Sequence, residues 1–345
     1  LSEVGSLGYA LVQSLEYVSG YIIGHTWTNY LLVLVLALCL DFALGDPKSR
    51  YHPTAWIGRM IAATAISAKR TSHEKATGIL AVVLPCGITV AAVSAAMHGA
   101  DMLQGALGAV AVTLAGAILL KSTIAIRGME KHAARVMESI RNGSMQYARG
   151  RLSMIVKRDT KNLNERQVIS GVIESVAESI VDGITGPLFY FGLLGLPGAF
   201  AYRVANTADS MVGYKSTMFA SLGWFGANCD KMLNFMPSRM TVTSIMLGAA
   251  LLGMDWRNAY RAARRYGRST ASPNAGYPMA AVAGSLGIRL EKVGHYTIGD
   301  GRVELTIQDV LGAIRLMKAT TVIFVVTVAA PLMLALSYLG WWIHA

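Results

Sequence analysis

The segment VIESVAESIVDGITGPLFYF, Val172 to Phe191, decides how the chain is read. Its second half is apolar enough to enter a bilayer. Its first half carries Glu174, Glu178 and Asp182, and the segment holds no Lys or Arg. The three acids are spaced i, i+4, i+8, which places them on one stripe of a helix. Three like charges on one stripe destabilise an isolated helix, so a cation must offset them. One offset is an Arg or Lys from another segment, or exposure at a helix end. The other is a divalent cation, since Mg²⁺ takes carboxylate, phosphate and water oxygens. Ionisable groups at membrane depth are costly and point to function.

The surrounding sequence supports a membrane setting. Only 15% of the 345 residues are charged and 53% are hydrophobic, with a mean hydropathy of +0.44. A soluble domain carries about 25% charged residues. Four segments meet the length of a spanning helix: 28–44, 77–97, 103–120 and 319–342. Segments 184–202 and 240–254 contain Gly, and the first also two Pro, so they read as broken, re-entrant or full spans. The expected fold is an all-α, polytopic integral membrane helical bundle forming a single membrane-embedded unit over 1–345.

The 31 Lys and Arg give a net charge of +11, but none lies in 1–45, 76–120 or 319–345. They concentrate in 46–75, 121–166 and 254–318 and flank the apolar runs, the positive-inside pattern rather than a nucleic-acid face. The hairpin 77–120 returns the chain to the side it left, so all three basic blocks fit one side. That assigns 121–166 and 254–318 to the cytoplasmic side of the plasma membrane. Segment 121–166 reads as two amphipathic helices broken at Asn142-Gly143, with its charges on a solvated face. The opening residues 1–24 read as an interfacial amphipathic helix rather than a cleaved leader. Cys39, Cys86 and Cys229 form no CxxC pair, which argues against a disulfide framework or a zinc site.

Further polar residues cluster in four stretches. LDFALGDPKSRYHP holds Asp41, Asp46 and His52; AYRVANTADSMVGYKS holds Asn206, Asp209 and Lys215. Asn206 and Asp209 share a helix face. ANCDKMLNFMPSRMT adds Asp230, Asn234 and Arg239, and SPNAGYPMAAVAGSLGIRL opens with Ser272 and Asn274 at a turn able to cradle an anion.

Taken in order, LDFALGDPKSRYHPTAWIGRMI, RDTKNLNERQVISGVIESVAESIVDGITGPLFY, GLPGAFAYRVANTADSMVGYKS, FGANCDKMLNFMPSRMT and SPNAGYPMAAVAGSLGIRL resemble the adenosylcobinamide-phosphate synthase family of cobalamin biosynthesis, CbiB/CobD. The resemblance covers roughly residues 30–300. It implies a membrane ligase joining aminopropanol, or its phosphate, to adenosylcobyric acid with ATP and Mg²⁺. The chain departs from the family pattern at Ala271, Met279 and Lys231, where His, Glu and a second Asp are usual.

On that reading Glu174, Glu178 and Asp182 hold the metal. Asn206, Asp209, Asn234, Arg239, Ser272 and Asn274 bind substrate, and Asp46, His52, Asp230 and Lys215 carry catalysis. The lipid bilayer is a partner, with homo-oligomers or complexes with other corrinoid-pathway enzymes as further options, and nucleic acid is not expected. The sequence contains no P-loop. Two rival readings are a cation-coupled transporter, which also uses intramembrane acids and broken helices, and a non-catalytic sensor related to β-lactamase-regulation membrane proteins. Nucleotide consumption in response to a corrin acid and an amine separates the ligase from both.

Overall fold

The structure, a computed structural model, describes residues 26–45, 50, 52–68, 74–103, 105–212 and 221–339. It is helical almost throughout. The chain runs α1 (Thr26–Leu44), α2 (Pro53–Ala68), α3 (Glu74–Asp101), α4 (Gly105–Lys121), α5 (Ile126–Arg141), α6 (Met145–Leu152) and α7 (Glu165–Ile180). A π-turn, Val181–Thr185, leads into α8 (Gly186–Val212), followed by α9 (Trp224–Leu233), α10 (Phe235–Leu251), α11 (Trp256–Tyr266) and α12 (Pro273–Leu286). A short hairpin, β1 (Leu290–Lys292) and β2 (Tyr296–Ile298), precedes α13 (Ile307–Phe324), a second π-turn (Val325–Ala329) and α14 (Ala330–Tyr338).

Four helical stretches are long and apolar enough to cross a membrane: Glu74–Asp101, Gly105–Arg141, Glu165–Met211 and Ile307–Tyr338. The expected first span survives as the shorter apolar helix Thr28–Leu44. Lipid offers no partners for backbone N–H and C=O groups, so a spanning segment satisfies them within its helix or on neighbouring protein groups. The segment 184–202 is part of one kinked helix. Leu194 and Gly195 leave helical geometry, Gly195 at φ +63, just before Pro197. The break at 142–143 is as expected: α5 ends at Arg141, Gly143 turns at φ +69, and α6 starts at Met145. The expected helix 1–24 lies outside the described residues.

Helix α7 is the hub. An Asn164–Gln167 capping box fixes its start. Nearly every residue from Val168 to Ala177 is buried, Glu174 included. It packs on α5, α6, α12, α13 and β1. The sequence GP at 186–187 shapes its far end. Gly186 N–H bonds to Val181 O, five residues back, and Pro187 has no N–H to give. The carbonyls of Asp182 and Gly183 are thereby released from the helix ladder. Arg203 Nη1 takes the first at 2.8 Å and Ala125 N–H the second at 3.0 Å.

Candidate active site

A cavity of about 370 Å³ opens beside the end of α7. Three parts of the chain wall it: the α7–α8 unit, the loop after α6, and the hairpin. From the first come Glu174, Glu178, Asp182, Arg203, Asn206 and Asp209; the loop gives Lys157 and Arg158; the hairpin gives Lys292 and Tyr296. Lys292 and Tyr296 are directly paired across β1 and β2. Cross-strand partners project to the same face, so both reach the cavity, with Lys292 Nζ 5.9 Å from the Tyr296 ring centre.

The acidic stripe divides into unlike members. Glu174 is buried and fully engaged. Ser170 Oγ donates to Oε1 at 2.7 Å, Arg158 Nη2 reaches the same oxygen at 3.4 Å, and Tyr296 OH donates to Oε2 at 2.9 Å. Ser170 also receives the Glu291 N–H at 2.9 Å, which fastens the hairpin to α7. Burial and the Glu174 carboxylate push the Tyr296 hydroxyl well above the usual tyrosine range. Glu178, one turn on, is exposed to the opening, where Lys157 and Lys292 are the cations acting on it.

Asp182 belongs to a polar chain behind the cavity wall. Tyr202 OH donates to Asn234 Oδ1 at 2.7 Å. Asn234 Nδ2 then donates to Asp182 Oδ1 and to Asp230 Oδ1, each at 3.1 Å. Asn206 Nδ2 donates to Asp230 Oδ1 at 3.1 Å, and Asn206 Oδ1 accepts from Arg203 at 3.2 Å. Asp230 stands on α9, outside the long apolar helices. Burial raises its pKa above the ordinary aspartate value, and nearby Asp209 adds to the shift.

Three carboxylates, Glu174, Asp182 and Asp230, are thus held by hydrogen bonds, while Glu178 and Asp209 have no hydrogen-bond partner among the described residues. Among those residues no three His, Cys, Asp or Glu side chains converge closely enough to cage an ion. The donor set still suits Mg²⁺, which takes only one or two carboxylates and completes its shell with water and phosphate oxygens. Glu178 and the unshared oxygen of Asp182 are the carboxylate oxygens that would serve as such ligands. The four cations suit an anion, and one of them, Arg158, carries a buried Nε–H without a hydrogen-bond acceptor among the described residues.

Other expected site residues lie elsewhere. Arg239 Nη1 donates to Asn274 Oδ1 at 2.5 Å and stacks 3.9 Å over Phe235. Asn274 Nδ2 donates to Lys231 O at 2.7 Å, and its own carbonyl accepts from Ser238 Oγ at 2.7 Å. This pair staples α12 to α9 and α10. Ser272 caps the start of α12 without a side-chain cap bond. His52 accepts from the Thr54 N–H at 3.2 Å and does not line the cavity. Asp46 and Lys215 fall outside the described residues. Lys157, Arg158, Lys292 and Tyr296 are site residues that sequence reasoning missed. Lys157 and Arg158 read as part of the solvated face of 121–166, and nothing in the local pattern announces a hairpin that folds back 122 residues onto Glu174.

The CobD/CbiB protein family model matches residues 34–339. This chain belongs to the CobD/CbiB family. It is 39% identical over 306 residues to the probable cobalamin biosynthesis protein CobD of Methanothermobacter thermautotrophicus, covering 87% of this chain and 97% of the relative. It is 37% identical to the cobalamin biosynthesis protein CobD of Geobacter metallireducens, covering 86% and 95%. To the probable CobD of Thermoplasma volcanium it is 34% identical, covering 89% and 99%. No solved structure matches the chain. Membership makes this a cobalamin biosynthesis protein, and the long apolar helices make it a membrane one. At Met279, one of the family departures noted above, the sulfur stands 4.0 Å from Tyr296 OH.

Proposed function

We propose that this family member forms the amide bond between adenosylcobyric acid and aminopropanol, or aminopropanol phosphate, at the expense of ATP. One observation carries the reading. Four cationic and four acidic side chains face each other across a single cavity at the end of a spanning helix. A carboxylate and an amine do not condense in water unaided, and activation by ATP gathers negative charge that such cations neutralise. Bound Mg²⁺ would supply charge neutralisation at phosphate oxygens. Glu178 and Asp182 would hold it, with Asp209 beside them.

In this reading Lys157, Arg203 and Lys292 bind the phosphate-bearing substrate. Arg158 is aimed by Glu174, so Glu174 is a positioning residue. Asp230 stands behind the wall, held by Asn206 and Asn234, and Asp209, which lines the cavity, accepts a proton from the attacking ammonium. The hairpin and the apolar helices cover the cavity on the Glu174 side and leave it open at Glu178. The cavity is too small for a whole corrin, so only the reacting propionate enters. The chain acts as one membrane-embedded unit with the cavity opening to the cytoplasm of the plasma membrane.

The test is product formation. Purified protein is incubated with adenosylcobyric acid, Mg²⁺-ATP and either amine, and products are read by mass spectrometry. An amide-linked product made by the wild type, and lost in Glu178→Gln and Asp182→Asn variants that still fold, supports the assignment. No product with either amine overturns it. Wild-type turnover in both variants removes the metal role.

A further inference from the structure

Helix α11 carries a surface that the active site does not use. At about 100° per residue, its side chains fall into three successive sectors. Ala259, Ala262 and Ala263 form the first and are buried against α10 and α12. Trp256 and Tyr260 form the second and are 42% and 46% exposed. Arg257, Arg261, Arg264 and Arg265 form the third, all exposed, and Arg268 continues it just past the helix end. Only Arg265 meets an acid: it pairs with Asp300 at 3.0 Å, and Tyr266 donates to the same carboxylate. Arg257, Arg261, Arg264 and Arg268 have no acidic partner among the described residues. Two of them lie over aromatic rings instead, Arg257 at 5.3 Å from Trp256 and Arg264 at 5.7 Å from Tyr260.

The aromatic sector continues an apolar edge. Helix α10 ends at Leu251, and it and the following Leu252 are 76% and 39% exposed, just before Trp256. The chain thus passes from exposed leucines to exposed aromatics to unpaired arginines. That order matches a membrane–water boundary, with apolar groups at acyl depth, Trp and Tyr at headgroup level and Arg among the phosphates. A soluble acidic partner would match the arginines but would leave the leucine edge unexplained.

We infer that α11 is an interfacial helix that binds anionic phospholipid, its arginines on lipid phosphates and Trp256 and Tyr260 at the headgroup boundary. An anionic surface enriches such a helix roughly fivefold per basic residue held near it. The inference rests on the membrane character of the chain and not on the proposed ligase reaction.

The test places the full chain in nanodiscs containing brominated phosphatidylglycerol or brominated phosphatidylcholine at equal mole fraction. The chain has six tryptophans, so the Trp256 signal is the difference between wild type and Trp256→Phe. The expected result is quenching of that signal, at least about twofold stronger with the brominated anionic lipid, and weaker at high salt. The triple variant Arg257→Gln, Arg261→Gln, Arg264→Gln should keep the quenching by phosphatidylcholine and lose the anionic preference. No quenching by either lipid places the helix in water and overturns the inference. Equal quenching by both lipids in the wild type, or a preference that survives the triple variant, overturns the role of the arginines. The lipid comparison uses the unmodified helix, so it stands even if the triple variant fails to fold.

Discussion

Replacing Arg158 by Met tests whether the site is assembled around Glu174. The Arg158–Glu174 pair is buried, with side-chain exposures of 12% and 8% at 3.4 Å. Removing one member of a buried pair costs about 3–5 kcal/mol, because the survivor stays desolvated and unpaired. Glu174 keeps two donors, Ser170 and Tyr296, so the lower end, about 3 kcal/mol, is expected here. At about 2 °C per kcal/mol for a chain of this size, the midpoint falls by roughly 6 °C. Replacing Glu174 by Gln as well removes the stranded charge and leaves an amide oxygen for the same two donors. The double variant should therefore recover most of the loss, to within about 1 kcal/mol of wild type. Fluorescence-detected thermal unfolding in detergent across the four proteins gives the coupling directly. A loss below about 1 kcal/mol for Arg158→Met, or a double variant equal to the sum of the singles, would refute the reasoning. Gly171→Ala approaches the same contact from the other side, since an added Cβ would collide with Arg158 Nη2 and crowd Leu152. It should reproduce part of the Arg158→Met loss.

The Tyr296 hydroxyl holds its proton more tightly folded than unfolded. Its contribution is therefore fully present below about pH 10, the unfolded value, and is lost as pH rises towards the folded value; Tyr296→Phe should remove this alkaline slope from a stability–pH profile. Asp230 also has a raised folded pKa, but its penalty lies in the charged form. Asp230→Asn should raise the unfolding midpoint at pH 7, and the gain should vanish below about pH 4. Asn274→Ala breaks the staple that ties α12 to α9 and α10, removing the side-chain donor to the Lys231 carbonyl and one acceptor of Arg239, which keeps the Phe235 carbonyl. A loss of about 2–3 kcal/mol in unfolding, with the pocket's cation binding unchanged, separates this role from one in substrate binding.

Much of this was legible because each feature announces itself locally. Apolar runs of spanning length, the Asn142-Gly143 break and the Gly/Pro interruptions of 184–202 depend on neighbouring residues, and the structure follows them. The carboxylate stripe was legible for the same reason, being an i, i+4, i+8 pattern on one helix. Lys157, Arg158, Lys292 and Tyr296 were not, because they reach the cavity through tertiary folding. Lys292 and Tyr296 belong to a three-residue strand pair too short to leave a period-two signature. Arg239 and Asn274 have the chemistry of a binding site, and the structure shows them bonded to each other and to the Phe235 and Lys231 carbonyls, away from the cavity.

One further feature was present in the sequence without being readable as such. Gly186-Pro187 looks like a helix breaker, yet the helix continues through it as a π-turn. Gly186 bonding five residues back and the missing Pro187 donor together leave two carbonyls free, and Arg203 and Ala125 capture them. Arg203 is thereby fixed at the cavity wall beside Asn206, which in turn holds Asp230. π-turns within helices recur at functional sites for this reason: they release polar backbone groups where a side chain must be aimed. The acidic stripe gains its division of labour from the same device. Glu174 lies in regular helix, deep among donors, and orients Arg158. Glu178 lies a turn later at the cavity mouth, open to a ligand. Asp182 enters the π-turn, where its carbonyl anchors Arg203 while its carboxylate accepts from Asn234. A stripe of three like charges that no isolated helix would favour is thus tolerated because each carboxylate meets a different environment.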